Sequence, residues 1–405
     1  MKSRKTDKQD HNYPEINLAI DNCFASKRFT EPSEWMSIIQ DLGVKYIEAS
    51  ADTECDPLYM TRDYMMSWRD EVKKAASLYN TSVCNLYSGH GTYATLGLSH
   101  TSERIRDRIL NEWLKPMVEM ASDLGAGLGF YCHAFADQVL QDTEKYYTYK
   151  EDLVARLAEL ARFAAESECS AVGVEQMYSP HQIPWTINGA KNLIREVFKK
   201  SGKPFYITID TGHQSGQNRF RKIQRNDIIE VLKRYNGKDK LLNLWLGPRS
   251  AYNLLERSYD LKMGEYDDLA REICKEMDKY PYLFSELQDS SPYQWLEELA
   301  CYSPIIHLQQ TDGTVSNHWP FTKEYNDKGI IDGEKLLMAV KKSYNQHYPS
   351  MPEKVKKIFL TIEVFASTAS INYDTIQQLK ETVRYWRQFV PEDGKKLDEL
   401  VVEMK

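Results

Sequence analysis

Hydrophobic and polar positions follow two alternating rhythms along the chain. Short apolar runs rich in Val, Ile, Leu and Phe stand at 16–24, 44–49, 82–87, 128–133, 171–177, 204–213, 303–313 and 357–365. Runs of this length, bounded by turn residues, predict buried strands. Between them lie longer segments with apolar residues three and four apart, the spacing of amphipathic helices. The segment 102–124 is the clearest: Ile105, Ile109, Trp113, Met117, Met120 and Leu124 share one face, with Arg and Glu opposite. Pro32 opens another helix, carrying Trp35, Ile38, Ile39 and Leu42, and Gly43 closes it as the residue just past its end. Further helices are expected at 64–79, 150–168, 188–200, 332–346 and 374–389.

Strand, helix, strand is the order of βαβ units and a parallel sheet. Eight strands with a helix after each predict a closed α/β (β/α)8 barrel in preference to an open sheet. The rhythm stretches after the sixth strand, where helical patterns appear at 227–235, 267–279 and 293–302. A polar, Tyr-rich helical insertion at 238–300 is therefore expected between strands six and seven. No Pro/Gly/Ser-rich linker brackets it, so 15–405 reads as one barrel domain. Residues 1–14 read as a charged, flexible tail.

Composition narrows the picture. A chain of 405 residues is long for one domain, but α/β barrels run to about 250 residues and beyond with insertions. A net charge of −7 argues against nucleic acid as a partner. The seven cysteines are scattered without a CxxC pair, which points to reduced thiols and a cytoplasmic location. The N-terminus lacks the apolar core of a secretory signal, and no stretch approaches the roughly 18 apolar residues of a membrane span.

Four strands end on a residue that binds metal or moves protons: Glu175, Asp210 with His213 just after it, His307, and Glu363. A charge at the C-terminal end of a buried strand is badly placed for packing and well placed for a site above a parallel barrel. Taken singly, an Asp there is often a helix cap, and a buried His often bonds a carbonyl. Four in equivalent positions make an oxygen-rich set with one nitrogen donor, suited to one divalent ion. Mn²⁺ is the expected metal, with Mg²⁺, Co²⁺ and Zn²⁺ as alternatives. Such an ion polarises a ketone and stabilises the enediolate formed when the adjacent carbon loses a proton. Glu175 and Glu363 come from opposite sides of the ring and would flank that carbon, one removing a proton and the other returning it. His213 is placed to bond a substrate oxygen.

These segments resemble the xylose isomerase-like TIM barrels, a superfamily of sugar and sugar-phosphate isomerases and epimerases. VEQM supplies Glu175, DTGH supplies Asp210 and His213, IIHLQQTDG supplies His307, and TIEVF supplies Glu363. The stretches SGHGTYATLGLSH, EQMYSPHQIPWT, YITIDTGHQSGQ and HLQQTDG followed by HWPFT are similar to the D-erythrulose-1-phosphate 3-epimerase type. The resemblance implies a metal-dependent 3-epimerase with the two glutamates as acid/base pair. It departs at His181, where epimerases of free ketoses carry a second Glu, so the substrate's O1 is held differently here. Met177 stands where hydride-shift isomerases carry Lys, which argues against that chemistry.

The expected substrate is a short ketose or its phosphate, a tetrulose phosphate first. Candidate phosphate contacts are Arg219 after strand six, His318 after strand seven and His90 after strand three. Gln309, beside His307, is a further candidate substrate contact. Trp185, Trp245, Trp295 and Trp319 are candidates to wall the site, His133 and Asp289 to support it, and Glu48 to orient a ligand. A homodimer is expected by resemblance. An aldose–ketose isomerase on the same metal site and a non-catalytic sugar-binding barrel are the alternatives.

Overall fold

The structure, a computed structural model, describes residues 13–26, 28–50, 54–88, 97–132, 135–234, 244–260 and 262–403. Its parallel strands are β1 (Glu15–Asp21), β2 (Tyr46–Ser50), β3 (Ser82–Ser88), β4 (Gly127–Phe130), β5 (Val172–Glu175), β6 (Tyr206–Asp210), β7 (Ile305–Leu308) and β8 (Lys357–Ile362). Each pairs with the next, and β1 pairs with both β2 and β8, which closes the ring. A two-residue strand, β9 (Lys395–Lys396), adds to β1 antiparallel. The fold is the (β/α)8 barrel expected from the strand–helix rhythm.

The strand period of two sorts each strand into two faces. On β1, Ile16, Leu18 and Ile20 belong to the apolar layer shared with the surrounding helices, where Trp35, Trp113, Trp295 and Trp386 are fully buried. The alternate residues Asn17, Ala19 and Asp21 take the other face. β4 reads Gly-Leu-Gly-Phe. A Cβ on Gly129 would stand 3.0 Å from both Asn85 Nδ2 and a Tyr87 ring carbon. The glycine leaves room inside the barrel for those two side chains.

The expected strand at 16–24 ends at Asp21, because its carboxylate takes the N–H of Cys23 at 2.6 Å and starts a 3-10 turn, Asn22–Ala25. The helix expected at 102–124 is present, with a π segment at Ile109–Leu114. Pro116 lies just beyond that segment; it lacks an N–H and crowds the preceding turn, which widens the helix there. After β6 come helices Arg225–Arg234, Arg249–Glu256 and Tyr266–Met277, the first and third packed together. Helix Pro292–Leu299 packs against Ile187–Ser201 and Gly333–Ser343, and so belongs to the ring around the barrel. No described helix is long and apolar enough to cross a membrane.

Candidate metal and proton-transfer site

Glu175 is the last residue of β5, Asp210 the last of β6, and His307 lies in β7 directly opposite Asp210. Glu363 is one residue past β8, its N–H bonded to the Leu308 carbonyl at 3.0 Å. One ligand atom from each of these four lies within 4.8 Å of the others. None of the four is more than 3% exposed. The strand-end reading therefore brings together the group it named.

The neighbours fix each side chain. Asp210 Oδ1 accepts the N–H groups of Gly212 and His213 at 2.6 and 3.0 Å. Gln309 Nε2 donates to both Asp210 oxygens, at 2.8 and 3.0 Å. Glu175 Oε2 accepts the hydroxyl of Tyr87, and its Oε1 lies 2.8 Å from His307 Nδ1. The other ring nitrogen, Nε2, lies 2.8 Å from Glu48 Oε2. Glu363 Oε2 is buried and has no hydrogen-bond partner among the described residues; it stands 3.5 Å from His307 Nδ1 and 3.5 Å from His318 Nδ1, which likewise lacks one among them.

The two glutamates are pushed apart. Burial lifts the Glu363 carboxyl well above its usual range; His307 opposes this, while Asp210 and Glu175 add to it. Burial also acts to raise Glu175, but the imidazoles of His213 and His307 outweigh it and the carboxyl is lowered. Asp210 is likewise buried, yet His213, His318, His307 and the Gln309 amide hold it at about 2. Burial opposes a charge on His307, but Glu48, Glu363 and Glu175 raise it well above the ordinary imidazole value.

Three buried carboxylates around one imidazole suit a divalent cation, because charges in a dry interior need a counter-charge. The orphaned Glu363 Oε2 is the observation that fits best: it is a buried acceptor with no donor to meet it. The oxygen-rich set with one nitrogen suits Mn²⁺, Mg²⁺, Co²⁺ or Zn²⁺ and does not select among them.

The remaining candidates fall into place one by one. His213 is buried beside Asp210, with Nδ1 bonded to the Gln176 carbonyl at 2.7 Å and its ring 4.0 Å from that of Tyr178. His318 reaches the cluster through a left-handed backbone, φ 48°, a strained conformation for a non-glycine. Gln309 is fully buried and uses its amide on Asp210 and its carbonyl on the His318 N–H and Ser316 hydroxyl. It therefore holds Asp210 and the loop after β7 together. Arg219 lies on an exposed turn, Asn218–Phe220, and the structure does not bring it to the cluster. Its neighbour Lys222 is paired with Asp278. His90 and His133 lie outside the described residues. Asp289 caps the N–H of Ile187 at 2.8 Å and supports a helix start, not the site. Trp295 bonds the Asp289 carbonyl, Trp245 bonds the Leu283 carbonyl, Trp185 meets Phe220 edge-on, and Trp319 stacks on Tyr325. The first two are hydrogen bonds and the last two ring packing, and each is made within the protein's own framework.

Sequence reasoning missed Tyr87 and Asn85. Asn85 is the middle residue of β3 and Tyr87 the last but one. Neither is charged at neutral pH, so neither stood out from an ordinary strand.

The family model described as xylose isomerase-like TIM barrel matches residues 36–244, just over half of the chain. This chain belongs to the xylose isomerase-like TIM barrel family. The matched span of the family holds Glu175, Asp210 and His213, while His307 and Glu363 lie beyond it. Among curated proteins, the chain is 29% identical over 109 residues to a D-erythrulose 1-phosphate 3-epimerase of Brucella abortus. That match spans 27% of this chain and only 32% of the relative. Among solved structures, a putative xylose isomerase from Rhodospirillum rubrum superposes with a TM-score of 0.62 at 15% identity, covering 92% of this chain and 99% of that one. An L-ribulose 3-epimerase follows with a TM-score of 0.50 at 13% identity, covering 96% and 97%. These two similarities carry the xylose isomerase-like fold across almost the whole chain.

Proposed function

We propose that the chain is a divalent-metal-dependent epimerase of a short ketose or ketose phosphate, inverting the carbon next to the carbonyl, with a tetrulose phosphate as the first candidate. The observation that carries this reading is the convergence of Glu175, Asp210, His307 and Glu363 within 4.8 Å. The curated relative, an epimerase of a tetrulose phosphate, supports the choice of substrate.

Glu175, Asp210, His307 and Glu363 would hold the ion. When bound, it supplies Lewis-acid polarisation of the ketone and stabilises the enediolate. The chain's own groups then move the protons. Glu175, lowered and held by Tyr87 and His307, is suited to be the base. Glu363, on the neighbouring side of the cluster and 3.5 Å from both His307 and His318, is suited to return the proton. Two carboxyls flanking one carbon are what proton removal and return require. In the reverse direction their roles exchange. His213 and His318 lie beside the two carboxylates and are placed to bond substrate oxygens. For a phosphate, the loop after β7 is the better candidate: Asn317 Nδ2 is buried without a hydrogen-bond partner beside Ser316 and His318. Burial of the four side chains would shield the enediolate from water.

The reading is tested with a panel of tetrulose, pentulose and hexulose phosphates and free ketoses, incubated with Mn²⁺-loaded protein. Inversion at C3 supports it. Aldose formation would replace it with the aldose–ketose isomerase, and tight binding without turnover with a sugar-binding barrel.

A further inference from the structure

Glu48 is a fully buried carboxylate that takes no part in the proton transfer described above. It stands on β2, paired in register with Asp21 of β1 and Asn85 of β3. Its Oε1 accepts from Asn85 Nδ2 at 2.6 Å, and its Oε2 lies 2.8 Å from His307 Nε2. Both oxygens are thus committed, one to a holder and one to the ring. Tyr87 meets the same ring edge-on, 5.0 Å between centroids with 78° between planes, which restricts its rotation. A metal-ligating imidazole almost always donates its other ring N–H, and a carboxylate on that far nitrogen fixes both tautomer and orientation.

We propose that Glu48 is a positioning residue: it takes the Nε2–H of His307 and so aims Nδ1 at Glu175, Asp210 and Glu363. Asn85 holds Glu48 in turn, and the small β4 residues leave room for Asn85. The inference rests on the four-residue metal site. It adds that the site's affinity is set partly on the opposite side of the barrel, by a residue that touches neither ion nor substrate. Asp21, Glu48 and His307 also lie close enough to form a second group of ligand atoms. However, both oxygens of Glu48 are already taken, by Asn85 Nδ2 at 2.6 Å and by His307 Nε2 at 2.8 Å. Positioning is therefore the role favoured here.

The test uses full-length, metal-stripped protein. Mn²⁺ is titrated into wild type, Glu48→Ala and Glu48→Gln by calorimetry, giving stoichiometry and affinity without any substrate. One ion per wild-type chain is expected, with binding about 10–100-fold weaker in Glu48→Ala, the usual effect of removing such a partner. Glu48→Gln, whose amide oxygen can still accept from Nε2–H, should fall between the two. In parallel, ¹⁵N NMR of Zn²⁺-loaded wild type should show His307 protonated at Nε2, a readout that holds even if the variants do not fold. Unchanged affinity in Glu48→Ala, or protonation at Nδ1 in wild type, overturns the proposal. Two ions in wild type and one in Glu48→Ala would overturn it differently, making Glu48 a ligand. Failure of wild type to bind any ion would instead remove the metal site itself.

Discussion

Glu175 and Glu363 carry the same carboxyl and share one cluster, yet their surroundings push them in opposite directions. Tyr87 and His307 satisfy Glu175, whereas one oxygen of Glu363 has no hydrogen-bond partner among the described residues. Glu363→Gln preserves the shape and removes the proton-transfer group together with one charge toward the ion. It should fold normally by circular dichroism and lose turnover by at least about 10²–10⁴-fold, the usual share of one acid/base group. Near-normal turnover would refute the assigned role. Asp210 makes a different prediction. Its folded-state value, about 2, lies below the roughly 3.9 of an unfolded Asp, so it favours the fold above that higher value. That contribution is lost as pH falls from about 4 toward 2. Urea unfolding of metal-free protein at pH 5 and pH 3 should therefore show a smaller acid-induced loss in Asp210→Asn than in wild type. Equal losses would mean Asp210 is not held ionised by its neighbours.

Among the strands, β4 contributes by what it lacks. Its alternate positions are glycines, and the side chains of Asn85 and Tyr87 occupy the space. Gly129→Val should cost about 1–3 kcal/mol through overpacking, measured by denaturant unfolding. It should also weaken Mn²⁺ binding, because Tyr87 and Asn85 support Glu175 and His307 through Glu48. A stable variant with unaltered binding would show that β4 does not shape the site. This dependence explains what could be seen in the sequence. The eight strands and most helices were legible, because apolar periodicity records which face is buried. The four clustered residues were legible because a charge at a strand end has no packing explanation. Asn85, Tyr87 and the role of Gln309 were not, because uncharged residues leave no such mark and their partners lie on distant strands. Arg219 looked suited to phosphate by charge alone, but charge in a loop does not say which way the loop faces.

For the whole molecule, the site exists only because the ring closes. Glu175 on β5, Asp210 on β6, His307 on β7 and Glu363 after β8 meet at the strand ends of the closed ring, with Glu48 of β2 against His307. Three carboxylates gathered in a dry interior repel one another, and an ion that binds only the folded state relieves this. Saturating Mn²⁺ at a hundred times its dissociation constant should stabilise the protein by about 2.7 kcal/mol. A chelator should lower the melting temperature accordingly, and added Mn²⁺ should restore it. An unchanged melting curve would count against a built metal site. The decisive measurement is proton exchange in D₂O. Mn²⁺-loaded protein is incubated with a tetrulose phosphate and followed by NMR. The account predicts deuterium at C3 together with inversion there, and no inversion in Glu363→Gln. Deuterium at C1 or C2 with aldose appearing, or no exchange on any ketose despite a bound ion, would contradict it.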